Sequence, residues 1–255
     1  MRRITIRRTA LAASAVSLAL LVTACGSDEP AAKDKAKSEE SKGAPAAPAA
    51  KALSQAELDK LMLTEADLAN HKITPASKVD LAAAKGTTAD KTECALLVDA
   101  MSLRAPGKPA ASASRKIMGI PQDPAKDASP EEKLKAAVDA LSGTITSDVV
   151  GSYDGQGATE AVAAIKKAGT DCAGGFTLNV PGDKVKISKV EPGAYTAGDE
   201  ALAYAFTLDL EGKPSTAHLV AVRKGANVAT FFAQSLAGSA DQPKAIIDAQ
   251  VKKLG

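Results

Sequence analysis

The chain has no tryptophan and only three tyrosines and four phenylalanines among 255 residues. Platforms of stacked rings are therefore scarce, which counts against a typical sugar cleft or a single-stranded nucleic-acid surface. Its two histidines, His71 and His218, lie 147 positions apart. A zincin helix needs histidines at i and i+4, so that chemistry is excluded. A basic field is also missing. Residues 1–24 hold four arginines and no acid, and taking four from 32 basic residues leaves 28 against 30 acidic ones. Nothing then attracts nucleic acid or an anionic surface. No serine sits in a G-x-S-x-G elbow, none precedes lysine by three residues, and no G-x-x-x-x-G-K-[ST] loop occurs. No catalytic residue, metal site, cofactor or nucleic-acid partner is expected.

What is present begins with an address. Arg2, Arg3, Arg7 and Arg8 form a positive n-region, followed by an apolar run from about Ala10 to Ala24. Roughly 15 residues are too few for a bilayer core, which takes about 20, but they suit the core of a signal peptide. The run ends in Leu21-Val22-Thr23-Ala24-Cys25, which resembles a bacterial lipobox. The resemblance implies that Cys25 is lipidated and becomes the mature N-terminus, with two or more acyl chains for stable membrane anchoring. The alternative is a plain secretory signal with a chance cysteine. Arg7-Arg8-Thr9-Ala10-Leu11 also resembles a twin-arginine signal, so the export route stays open.

Residues 25–51 follow as a tether of Ala, Pro, Lys, Glu, Ser and Gly without a large apolar side chain. Such a stretch cannot bury enough surface to offset backbone ordering. The remainder, 52–255, carries no second linker and reads as one domain. Ser54-Gln55-Ala56-Glu57 is a capping box opening a helix to about Leu63, and Thr64–Leu68 suggests a turn. His71–Thr74 is a candidate strand. Glu93–Leu103 places Cys94, Leu97, Val98 and Met101 on one helical face. A strand is expected over 112–120. Ser129-Pro130-Glu131-Glu132 starts a helix expected to turn Leu134, Val138 and Leu141 inward. Thr144–Val150 reads as a strand. Ala158, Ala161, Val162, Ile165 and Ala168 form a helix stripe closed by Gly169. Val185 and Ile187 alternate with polar residues, and Leu202, Tyr204, Phe206, Leu208 and Leu210 alternate with smaller ones. Thr216–Arg223 is apolar on both faces, as in a covered central strand. Val228–Ala233 returns after a turn, and a last helix carries Ile247, Val251 and Leu254. Helices first and a meander later indicate an α+β fold, an antiparallel sheet with helices on one face.

With Cys25 lipidated, Cys94 and Cys172 remain as a pair, and an exported chain favours a disulfide between them. A catalytic thiol is the alternative and would need a nearby base. Asp148 and Asp154 bracket a strand end near Tyr153. Paired carboxylates can act as acid and base when burial separates their pKa values, but exposed turn residues are the commoner case. Gly155 and Gly157, like Gly174 and Gly175, read as turns. His218 in its apolar strand reads as a core imidazole, His71 as a surface residue, and Tyr204 and Phe206 as core.

A family resemblance rests on the order of these features. The segment Leu53–Leu68 (LSQAELDKLMLTEADL) is followed by Cys94-Ala95-Leu96-Leu97, by Val149-Val150-Gly151-Ser152-Tyr153, by a helix from about Ala158, and by Cys172 at its exit. This order resembles the extracellular sensor domains of actinobacteria, typified by that of mycobacterial serine/threonine kinase H, and related surface lipoproteins. The resemblance covers about 52–255. It implies a sheet with flanking helices, a cleft and no enzymatic activity. The chain departs from that pattern in carrying no kinase domain, in a lipid where the family has a transmembrane helix, and in one cysteine pair where the kinase usually has two. The expected protein is a lipoprotein on the extracytoplasmic face of the cell membrane, binding or sensing an envelope ligand or partner of unknown identity. The alternatives are a carrier of lipid or hydrophobic ligands, and a cell-wall hydrolase needing a buried carboxylate or an activated serine near His218.

Overall fold

Local capping starts three of the helices. In α1 (Gln55–Leu61) the Ser54 amide donates to Glu57 Oε2 at 2.8 Å while Ser54 Oγ accepts from the Glu57 amide. The same reciprocal pair joins Ser77 and Asp80 at α2 (Lys78–Gly86), and Ser129 and Glu132 at α4 (Pro130–Leu141). Each pair satisfies amides that the first helical turn leaves without partners. The computed structural model describes residues 51–255, apart from 122, 123, 142, 211, 236 and 237, and apart from the side chains of 135 and 138–141. The leader, Cys25 and nearly all of the tether lie outside the described residues, as do the side chains of Val138 and Leu141.

The other helices are α3 (Ala95–Met101), preceded by a 3-10 turn at Thr92–Cys94, then α5 (Gly157–Asp171) and α6 (Lys244–Lys253). The strands are β1 (His71–Pro75), β2 (Thr88–Ala89), β3 (Ala111–Gly119), β4 (Thr144–Ser152), β5 (Phe176–Val180), β6 (Asp183–Gly193), β7 (Glu200–Leu210), β8 (Lys213–Lys224) and β9 (Asn227–Ser235). They form a single antiparallel sheet in the order β1-β3-β4-β9-β8-β7-β6-β5-β2. In the meander β5–β9, β6 and β7 follow the expected alternation and β8 and β9 the expected apolar runs, whereas β5 was not expected; β4 joins the meander by pairing with β9, Val150 opposite Ala229.

The antiparallel sheet, single domain and disulfide are as expected. The helices, expected on one face, occupy both. On one side α3 and α5 place Leu97, Val98, Met101 and Ile165 against Phe206, Leu219 and Phe232. On the other, α1 and α6 place Leu58, Met62 and Ile247 against Ile117, Val220 and Phe231. Successive strand residues point to opposite faces, so Leu219 and Val220, or Phe231 and Phe232, serve different cores. Gln250 of α6 ties the second face together, accepting from the Leu63 amide at 3.1 Å and donating to the Leu61 carbonyl at 2.9 Å. Leu134 does not turn inward: it is 68% exposed.

Cys94 and Cys172 form a disulfide within the first core, joining the start of α3 to the exit of α5 across 78 residues of chain. Closing a loop of that length restricts the unfolded chain by roughly 4–5 kcal/mol in the chain-entropy account. Replacing both cysteines by alanine is expected to lower unfolding free energy by up to about that amount. Denaturant titration of the variant against the oxidised parent measures it, and an unchanged midpoint would remove the disulfide from the account of stability.

Candidate functional site

The sheet cannot be flat. Its nine strands span eight gaps of about 4.8 Å, or roughly 38 Å edge to edge if uncurled. Yet β1 and β2, its two outermost strands, are consecutive in sequence, with only α2 and three flanking residues between Pro75 and Thr88. A nine-residue helix advances about 1.5 Å per residue. With extended flanks the connection reaches about 30 Å at most. The sheet is therefore curled, and α2 straps its two sides together.

The strap is fastened at each end. Lys116 Nζ of β3 lies 2.8 Å from Asp80 Oδ1 in the first turn of α2. Hydrogen bonding from Lys116, and then from Ser77, holds the Asp80 carboxyl down to about 2. At the far end Arg104, paired with Asp99 of α3 at 2.6 Å, donates to the Ala84 carbonyl and, at 3.2 Å, to that of Thr87. A cation there meets the negative end of the helix dipole. Gly86 passes so close to Pro181, in the β5–β6 turn, that a Cβ would lie 2.9 Å from its ring.

Beneath and beside α2 lies a groove of about 1370 Å³ on the face bearing α3 and α5. These two helices cover that face toward one end of the strands, and the groove occupies the remainder. Asp80, Ala83, Ala84 and Thr87 of α2 face it, a spacing that brings them to one side of the helix. Opposite them stand half-buried aliphatic side chains: Leu103, Ile145, Leu178, Val180, Val185 and Leu210. Phe232 supplies the one aromatic ring of the lining. Its three lysines, Lys116, Lys184 and Lys213, are matched by Asp80, Asp183 and Asp209. Two of these carboxylates are occupied by local turns: Asp183 accepts from the Lys184 amide and Asp209 from that of Gly212, each at 2.7 Å. Thr87, Ser102, Ser147, Ser215, Gln234 and Ser235 share the lining, so the groove mixes apolar and polar walls and balances its charges.

The residues singled out from sequence fall elsewhere. His71 lies at the β1 edge, with Nδ1 2.8 Å from the Ala69 carbonyl. His218 is half-buried in β8 between Ala205 and Ala233. Phe206 is core and meets Phe232 edge to face at 6.0 Å. Tyr204 is buried against Gly169, where a Cβ would meet its ring, and it also edges a second hollow of about 500 Å³ between α5 and β7. Gly155 and Gly175 take positive φ values of 59° and 82°, consistent with turns. Among the described residues no cluster of His, Cys, Asp or Glu could hold a metal ion, and no helix is long and apolar enough to cross a membrane.

Asp148 departs from its expected place. Asp154 is exposed and accepts from the Ala52 amide at 3.0 Å, but Asp148 is fully buried, and the two do not meet. Asp148 stands between Arg115 of β3 and Phe231 of β9, on the face covered by α1 and α6 and away from the groove. Among the described residues neither of its oxygens has a hydrogen-bond partner. The Arg115 guanidinium is directed to the carbonyls of Leu63 and Ser114, at 3.2 and 3.0 Å. Burial pushes the carboxyl up to about 8, with Arg115 pulling the other way.

No protein-family model matches the chain, and no curated protein matches it. Among solved structures it is similar to the extracellular domain of PknH from Mycobacterium tuberculosis, with a TM-score of 0.45 and 12% identity over 80% of this chain and 97% of that one. Identity this low transfers no residue role.

Asp148 yields a prediction with a definite sign. Its carboxyl ionises near 3.8 in the unfolded chain and near 8 in the folded one. Between those values the folded state holds a proton that the unfolded state has lost, so stability falls as pH rises. The contribution is complete below pH 4, declines up to about pH 8 and is then spent. Across that window Asp148→Asn is expected to flatten the slope of unfolding free energy by a few kcal/mol in all. Urea titrations at several pH values measure it, and parallel slopes for variant and parent would show that Asp148 does not titrate as its burial implies.

Proposed function

We propose that this chain is a non-catalytic binding module of the cell envelope, held on the extracytoplasmic face of the membrane through lipid on Cys25, with its ligand in the groove spanned by α2. The observation that carries this reading is the groove itself: about 1370 Å³, lined by apolar and polar side chains in similar measure, with lysines and aspartates balanced in number. Ligand sites are characteristically concave, with polar groups fixing orientation among apolar ones. A general base, an activated nucleophile or a metal would each need a recognisable constellation, and neither histidine lines the groove.

The hydrolase alternative asked for a buried carboxylate or an activated serine near His218. Asp148 is buried, but its oxygens bond to nothing among the described residues, so it does not orient that imidazole. This supports binding over hydrolysis. The resemblance of Leu21–Cys25 to a lipobox and the composition of the tether support the rest of the reading, a domain outside the membrane and within reach of it.

Two measurements test the two halves separately. Cys25→Ser is expected to abolish labelling by an alkyne-bearing fatty acid and to move the protein out of the membrane fraction; continued membrane association without label would defeat lipid anchoring. The parent, extracted from envelopes and weighed under native conditions, is expected to carry a discrete added mass that Leu178→Arg, in the groove wall, removes. An added mass unaffected by that substitution would place the ligand elsewhere.

A further inference from the structure

The large apolar side chains that the described residues leave exposed are Val79, Leu81, Met118, Ile120 and Leu134. Four of them are not scattered. Val79 and Leu81 belong to the first turns of α2, on the two flanks of its groove-facing side, next to Asp80, which bonds β3. Met118 stands opposite Ile145 of the groove floor, on the same face of the sheet, and Ile120 follows it past the strand end. These four therefore gather beside one mouth of the groove, where α2 meets β3. Isolated exposed apolar side chains are ordinary, but a contiguous set beside a cavity marks an interaction site.

The lining indicates what enters. Flat rings are held by aromatic faces, and this lining holds one ring, Phe232, among half-buried aliphatic residues. The tyrosines lie elsewhere. A flexible hydrocarbon chain suits such walls, because burying it is non-directional and needs no polar partner. At the rim, Lys184 and Lys213 with Asp183 and Asp209 can face a polar head left in water. We infer that the groove holds an acyl chain of a membrane amphiphile, taken from the bilayer through the mouth formed by α2 and β3. The inference rests on the groove being the ligand site.

The anchor permits this approach. The domain begins at the far end of β4 from that mouth, where the Leu53 amide donates to Ser152 Oγ at 2.8 Å. The nine residues of β4 span about 30 Å. About 27 residues separate Cys25 from Ala52, with a contour of up to roughly 90 Å. A lipid on Cys25 therefore leaves the chain long enough for the opposite end of the domain to touch the bilayer that holds it.

The test uses the full mature lipoprotein reconstituted into phosphatidylcholine–phosphatidylglycerol vesicles, with a trace of phospholipid bearing a diazirine at the end of one acyl chain. After illumination, peptide mass spectrometry is expected to find the label on peptides containing Ile145, Leu178 and Leu210. Leu178→Arg is expected to reduce that labelling about tenfold, since a charge in an apolar site is strongly disfavoured. The paired exposed substitutions Met118→Ser and Val79→Ser are expected to slow loading while leaving its endpoint and the melting temperature unchanged, which separates entry from folding. Label confined to residues 79, 81, 118 and 120 would mean contact with the bilayer without uptake and would overturn the inference. A native added mass that is not an amphiphile, removed by Leu178→Arg, would overturn it while leaving the groove as ligand site. Neither label nor added mass would overturn both.

Discussion

The connection from β1 to β2 governs this molecule. It is too short to cross a flat sheet of nine strands, so the sheet must curl until its edges come within reach. Curling turns one sheet face into a concave surface and lays α2 across it. The groove is a consequence of that closure rather than an added element. Its walls are the β5–β6 turn on one side and β3 with β4 on the other, and both are fastened to the same short helix.

The two cores explain why this geometry holds. Helices α3 and α5 fill one end of the concave face, locked to each other by Cys94–Cys172, while α1 and α6 seal the opposite face. Strands β8 and β9 are buried on both sides, and their near-continuous apolar sequence reflects it. Asp148 of the neighbouring β4 brings a carboxyl into this interior. Placed beside Phe231 and below α1, it lies where water does not reach and where Arg115 is already engaged by backbone carbonyls. A carboxyl there is held neutral by its surroundings.

Much of this was legible because local signals agreed with the tertiary outcome. The Ser54–Glu57 and Ser129–Glu132 boxes, the stripe from Ala158 to Ala168 and the alternation from Leu202 to Leu210 all appear as read. Helix α2 was not legible: its cap uses Asp80, its only buried residue is an alanine, and its two large apolar residues flank the buried side instead of forming it. Strand β2 is two residues long and offers no period at all. The placement of helices on both faces was hidden because Thr216–Arg223 shows that a strand is covered without showing by what. Asp148 was misjudged because nearness to a turn in sequence says nothing of the helices that close over the strand. The groove itself depends on which edges α2 joins, and no local pattern carries that.

The walls of the groove are not equally firm. The disulfide and the Leu97–Phe232 core make the α3 side rigid, whereas α2 buries only Ala84 from its own length. Its hold is polar: a capping box, the Asp80–Lys116 pair and the Arg104 donors. Half-exposed ion pairs contribute about 1 kcal/mol or less each, far below the burial of even two leucines. Local opening takes place where apolar contacts are few, which makes α2 the wall that yields first. The residues that would then be uncovered are the aliphatic floor, and a chain entering between α2 and β3 would replace water against those side chains. The element that forces the sheet to curl is thus also the one best able to admit what the curled sheet encloses.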